Sequence, residues 1–236
     1  VTTPVPRGRW VCLDVGETLI DETRVWDIWA DLVGIPRFTF MAAYGAGVER
    51  GPEHGDVFRI LGVDAWRDLR DQVEERYGCF VATDLYPDAR RSVDGLQSAG
   101  YRVAIVANQP ARRTQELHEL GIEAEVMAMS EELGVAKPDP AFFQRALELM
   151  GSPDPREVAY VGDRLDNDVG PSAAAGMRAV WMRRGPWGII PKAPTHGASL
   201  VVSSLDELVT EVWRCWPPLS AAPGTAPSSD TTQRAR

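Results

Sequence analysis

Six short apolar runs, each rich in Val, Ile or Ala, recur along the chain with amphipathic segments between them. They are "RWVCLDV" from Arg9, "YRVAIVA" from Tyr101, "EAEVMAM" from Glu123, "EVAYVG" from Glu157, "MRAVWM" from Met177 and "ASLVVSS" from Ala198. Between or after them lie "YPDARRSVDGLQSAG", "PARRTQELHELG", "PDPAFFQRALELMG", "DNDVGPSAAAG" and "LDELVTEVW". Most of these have helical spacing of apolar residues, and several stop at Gly. Repeated strand, helix, strand predicts an α/β fold: a Rossmann-like parallel sheet covered on both faces by helices. Ligands of such sheets bind at the carboxyl ends of the strands.

One region interrupts the alternation. Residues 21–84 hold no convincing strand, while "ETRVWDIWADLVG" and "DAWRDLRDQVEERYG" read as helices, with "GAGVERGPEHGD" as a loop between helical pieces. The expected organisation is a core made of residues 9–20 and 85–214, an inserted α-helical cap over 21–84 placed above the strand ends, and flexible termini at 1–8 and 217–236. Trp26, Trp29 and Trp66 in the insertion are read as packing residues. His118 is read as a surface or packing residue of a helix, and Trp181 and Trp187 as packing or loop residues.

Composition narrows the function. With 44% hydrophobic and 25% charged residues the chain is of ordinary globular type. A formal net charge of −9 argues against a nucleic-acid surface. The three cysteines, Cys12, Cys79 and Cys215, have no metal-ligand spacing and fit a reducing cytoplasm. The first ten residues lack the apolar core of a signal peptide, and no apolar run approaches a membrane span. A cytoplasmic protein with no membrane partner is expected; oligomeric state is not readable.

Chemistry-bearing residues collect at four strand ends or helix starts. Asp14 ends the first run and enters the turn Val15-Gly16-Glu17-Thr18; Asn108 follows the second run in "VANQP". Lys137 lies in "GVAKPDP", ahead of a helix whose N-cap should be Asp139 and whose first residue should be Pro140. Asp163 and Asp168 lie in "VGDRLDNDVG". Three acids gathered at one end of a sheet repel one another unless a cation is present. A hard divalent ion such as Mg²⁺ takes oxygen ligands and leaves room for a phosphate, and Lys137 adds a further positive charge. The set reads as a Mg²⁺ site for a small phosphorylated molecule.

From Trp10 to about Trp213 the chain resembles the haloacid dehalogenase superfamily of hydrolases, most specifically in "VGDRLDNDVGPSAAAG" and "AKPDPAFFQRAL". The helical insertion is similar to the cap that some members carry directly after the first motif. The resemblance implies a covalent mechanism in which Asp14 attacks phosphorus and forms an aspartyl-phosphate. It implies Mg²⁺ held by Asp14, the Gly16 carbonyl and Asp163, with Asp168 supporting the site. Lys137 would neutralise Asp14 and the phosphoryl oxygens, Asn108 would orient the substrate, and the cap would exclude water.

The pattern departs from its relatives at Gly16, at Glu17, where a glycine is usual, and at Ala107. Phosphatases of this kind carry a second aspartate two residues after the nucleophile, which protonates the leaving alcohol; here that position is Gly16. The hydroxyl residue before the Asn is Ala107. Absence of a general acid/base costs roughly 10² to 10⁴ in rate. Glu17 and His54 are the candidate replacements. Two alternatives to a phosphatase stay open: a carbon–halogen hydrolase, whose halide leaves unprotonated, and a phosphate-ligand binding or interaction module whose catalysis has eroded.

Overall fold

The computed structural model describes residues 8–51, 55–191 and 197–216. His54 and the terminal segments 1–7 and 217–236 lie outside the described residues. All six apolar runs form strands: β1 (Trp10–Leu13), β2 (Arg102–Ala107), β3 (Val126–Met129), β4 (Val158–Gly162), β5 (Arg178–Met182) and β6 (Leu200–Val202). They make one parallel sheet in the order β3-β2-β1-β4-β5-β6. The strands run as near-continuous apolar stretches because both faces are covered. In β1, Val11 and Leu13 belong to one buried cluster, Trp10 and Cys12 to the cluster on the opposite face.

Between β1 and β2 the chain is helical: α1 (Thr23–Val33), α2 (Arg37–Arg50), α3 (Asp56–Leu61) and α4 (Arg70–Tyr77), before α5 (Ala89–Ser98) returns to the sheet. The remaining helices are α6 (Arg113–Glu119), α7 (Ser130–Leu133), α8 (Pro140–Leu149), α9 (Gly170–Ala174), α10 (Gly185–Ile189) and α11 (Leu205–Glu211). Helix α8 starts as its sequence dictates: Asp139 accepts from the Ala141 N–H at 2.9 Å, and Pro140 opens the first turn.

The insertion has its own aromatic core. Phe58 stacks on Trp66 with centroids 4.5 Å apart, Trp29 meets Phe58 edge-on at 4.8 Å, and Trp26 lies 4.2 Å from Tyr44. Arg24, in the first turn of α1, fixes the root of this unit to the returning chain. Its guanidinium donates to both oxygens of buried Asp84 and to the carbonyls of Tyr77 and Cys79.

One expectation needs correction. The segment beginning "GAGVER" is not a loop, because α2 runs through it to Arg50. The glycines are there for close packing: a Cβ on Gly45 would sit 3.2 Å from Ile190 Cδ1, and one on Gly47 3.2 Å from Asp56 Cβ. Contacts with α3 and with the end of α10 outweigh the low helix propensity of glycine. Trp187, read as a packing or loop residue, lies on helix α10.

Candidate active site

The strand order reverses beside β1, whose neighbours β2 and β4 lead off in opposite directions along the sheet. That is the crevice where open α/β sheets bind ligands. Register brings three sequence-predicted residues to it together. Leu13 pairs with Ile105 and with Val161, so Asp14, Asn108 and Asp163 all emerge at the same end of three adjacent strands. The Asp14 N–H still donates to the Val161 carbonyl at 2.9 Å, which fixes where its side chain begins.

Lys137 arrives from the loop ahead of α8 and is nearly fully buried. Its Nζ lies 2.7 Å from Asp14 Oδ1 and 2.6 Å from Asp168 Oδ1. Asn108 positions it through its side chain: Asn108 Oδ1 accepts the Lys137 backbone N–H at 2.8 Å, and Asn108 Nδ2 donates to the Lys137 backbone carbonyl at 2.9 Å. The second oxygen of Asp168 accepts the Arg164 N–H at 3.0 Å from within a π-helical turn, Leu165–Val169. Asp168 is pressed so closely on the end of β4 that a Cβ on Gly162 would fall 2.5 Å from Asp168 Oδ2.

Asp14, Asp163 and Asp168 are all buried, and each offers one carboxylate oxygen within 4.8 Å of the others. Burial, then the Lys137 charge pulling the other way and Asp168 pushing upward, leaves the Asp14 carboxyl lifted to about 6. Burial and the neighbouring Asp168 and Asp14 hold Asp163 well above the usual carboxylate range. Burial opposes the charge on Lys137, but Asp14 and Asp168 overcome it and keep the amine firmly protonated. One ammonium among three buried carboxylates leaves excess negative charge, and hard oxygen donors at this spacing fit a divalent cation such as Mg²⁺.

Above this cluster opens a cavity of about 300 Å³, lined by Asp14, Gly16, Glu17, Glu22, Asn108, Gln109, Lys137, Asp163, Arg164, Asn167 and Trp187. Of the described residues singled out for chemistry, Asp14, Gly16, Glu17, Asn108, Lys137 and Asp163 reach this lining, and buried Asp168 stands behind Lys137. Glu17, with φ of 48°, has both carboxylate oxygens engaged. One accepts the Glu22 N–H at 2.9 Å and the other the Tyr86 hydroxyl.

Four lining residues were not singled out by sequence: Glu22, Gln109, Arg164 and Asn167. Glu22 is the most informative. It stands at the N-cap of α1 without capping it, while Asp21 accepts the Thr23 N–H instead at 2.8 Å. Burial, with Glu17 and Asp14 nearby, pushes its carboxyl up to about 8, and the Trp26 side chain hydrogen-bonds it. Trp187 borders the cavity rather than merely packing. Its indole N–H donates to the Tyr44 hydroxyl at 2.8 Å, and the Arg164 guanidinium lies 4.2 Å from its ring centroid. Trp181 is buried and donates to the Asp163 carbonyl at 2.9 Å.

The family model for haloacid dehalogenase-like hydrolases matches residues 9–176, which spans all of these positions except Trp181 and Trp187. The chain belongs to that family. Among its relatives is a glyceraldehyde 3-phosphate phosphatase of Methanopyrus kandleri, 36% identical over 142 residues, covering 58% of this chain and 60% of that protein. Another is a phosphoserine phosphatase of Thermus thermophilus, 34% identical over 127 residues, covering 52% of this chain and 49% of that protein. The chain thus spans 49% to 60% of the length of these relatives. The solved L-2-haloacid dehalogenase of Xanthobacter autotrophicus superposes with a TM-score of 0.61 over 86% of this chain and 98% of its own, at 19% identity. The α/β fold is therefore common to phosphatases and dehalogenases alike, and only the site can separate them.

Proposed function

We propose that this chain is a Mg²⁺-dependent phosphatase of small phosphorylated metabolites, working through an aspartyl-phosphate on Asp14. The observation that carries this reading is the clustering of three buried carboxylates around one lysine at the floor of an open cavity. A halide leaving group would need neither the ion nor the excess of acids. The relatives named as phosphatases of glyceraldehyde 3-phosphate and phosphoserine act on small substrates, which suits a cavity of about 300 Å³.

In this reading Asp14, the Gly16 carbonyl and Asp163 hold the ion, with Asp168 completing the acidic cluster. Mg²⁺ supplies charge neutralisation that lets an anionic carboxylate approach an anionic phosphate. Asp14 donates an electron pair to phosphorus as the bond to the leaving oxygen breaks; water then cleaves the aspartyl-phosphate and frees the carboxylate. Lys137, held in place by Asn108 and Asp168, offers its positive charge to Asp14 and to the phosphoryl oxygens. Asn108 lines the cavity and orients the substrate chiefly by fixing Lys137. Residues 21–84 act as the cap over a core of 9–20 and 85–214. Glu22, from that cap, and Trp187, from the core, both line the cavity.

Among the described residues no helix is long and apolar enough to cross a membrane. Cys12, Cys79 and Cys215 are all free thiols, and we place the protein in the cytoplasm on that basis.

The test is phosphate release from p-nitrophenyl phosphate and acetyl phosphate with Mg²⁺, repeated with EDTA and with Asp14→Asn. Turnover that needs both the ion and Asp14 is expected. No turnover of either compound, with turnover of a 2-haloacid in EDTA, would replace the reading by carbon–halogen hydrolysis.

A further inference from the structure

Breaking the ester of a poor leaving group requires a proton donor near the departing oxygen, and the later attack of water requires a base. Six titratable side chains line the described cavity: Asp14, Glu17, Glu22, Lys137, Asp163 and Arg164. Asp14 is the nucleophile in the reading above and Asp163 faces the ion. Lys137 is bonded to two carboxylates. Arg164 does not give up its proton in proteins. Glu17, nearest in sequence to the nucleophile, is spent on the Glu22 N–H and the Tyr86 hydroxyl.

Glu22 is left, and it lies in a telling place. Gly16 does not adopt the left-handed backbone that excludes side chains, so its conformation would accept any residue. Yet a Cβ on Gly16 would lie 2.5 Å from Glu22 Oε1 and 3.2 Å from Glu22 Cδ, and the three atoms nearest to it all belong to Glu22. The carboxyl of Glu22 thus fills the space that a side chain on residue 16 would take. The glycine and the glutamate fit each other. Glu22 is held there from three sides: by its own N–H on Glu17, by the Trp26 side chain, and by its position at the start of α1.

We infer that Glu22, reaching over Gly16 from the first turn of the helical insertion, is the proton-transfer group of this active site. The inference rests on the phosphatase reading. In the first step Asp14 bonds to phosphorus, the bond from phosphorus to the leaving oxygen breaks, and the Glu22 carboxyl gives its proton to that oxygen. In the second step the Glu22 carboxylate takes a proton from water. The water oxygen bonds to phosphorus, and the bond between Asp14 and phosphorus breaks to leave inorganic phosphate, with Glu22 protonated again. The proton carrier therefore sits on the insertion, and its placement over Asp14 depends on how the root of α1 is seated.

The experiment follows p-nitrophenyl phosphate with Mg²⁺ by stopped flow, in wild type, Asp14→Asn, Glu22→Gln and the double variant Gly16→Asp with Glu22→Ala. Nitrophenolate leaves without a proton. Glu22→Gln should therefore keep a stoichiometric burst of nitrophenolate and then turn over about 10² to 10⁴ times more slowly, because the second step lacks its base. The double variant, with the clash removed and a carboxylate rooted at residue 16, should recover much of the steady rate. Glu22→Gln turning over within about threefold of wild type overturns the inference; so does a slow variant without the burst, which marks a merely structural role. Wild type and Asp14→Asn equally inert would instead remove the phosphatase reading itself.

Discussion

Asn108 grips Lys137 by both ends of its amide, 2.8 Å to the lysine N–H and 2.9 Å to its carbonyl, across a gap of 29 residues in the chain. The pair ties the end of β2 to the loop ahead of α8. The Lys137 ammonium owes its place between Asp14 and Asp168 to that grip. Replacing Asn108 by Ala leaves both backbone groups unpaired in a part-buried setting, at a cost of about 1–3 kcal/mol. A lysine displaced by about 1 Å can lose about 10²-fold in rate. Urea unfolding and kcat of Asn108→Ala measure the two effects. An unchanged kcat would remove Asn108 from the site's supporting structure.

Gly162 ends β4 directly under Asp168. A methyl group there would fall 2.5 Å from Asp168 Oδ2 and closer still to its Cγ. Strand geometry alone would tolerate Ala, so the prediction isolates the contact. Gly162→Ala should destabilise by about 1–3 kcal/mol, the usual cost of overpacking. It should also lower activity, because Asp168 cannot yield without moving Lys137. A variant with wild-type melting temperature and rate would show that Asp168 is free to shift.

Removing the ion should expose the repulsion among the acids. In metal-free protein the folded state raises the carboxyl of Asp14 to about 6, chiefly through burial, and burial likewise holds that of Asp163 well above the usual carboxylate range. A carboxyl raised on folding contributes stability that is present below its ordinary value and lost as pH climbs through the folded one. The metal-free protein should therefore melt lower at about pH 7.5 than at about pH 5. Saturating Mg²⁺, at about 100 times its dissociation constant, should add about 2.7 kcal/mol. That gain should shrink as pH falls and protons compete for the same oxygens. Calorimetry with Mg²⁺ and with EDTA at the two pH values checks this; a pH-independent gain would place the ion elsewhere.

Much of the fold was legible in the sequence. Parallel strands buried on both faces leave unbroken apolar runs, and each of the six became a strand. Asp139 and Pro140 announced the start of α8 through local capping chemistry, which depends on neighbours in sequence. What escaped depends on neighbours in space. The helix through Gly45 and Gly47 is decided by how closely Ile190 and Asp56 approach. Glu22 escaped for a related reason: a glycine at position 16 says nothing about which distant side chain occupies its empty space. The bonds of Glu17 to Tyr86 and to the Glu22 backbone, which remove it as a proton carrier, are likewise products of the fold.

Trapping the covalent intermediate is the most direct test of a phosphatase built on Asp14. Wild-type protein mixed with p-nitrophenyl phosphate and Mg²⁺, quenched in acid within milliseconds and digested, should yield a phosphoryl group on the peptide that carries Asp14. The label should be discharged by hydroxylamine, as an acyl phosphate is, and should be absent with EDTA and in Asp14→Asn. Phosphate released in steady turnover with no label on that peptide, or with the label on another residue, would contradict the account.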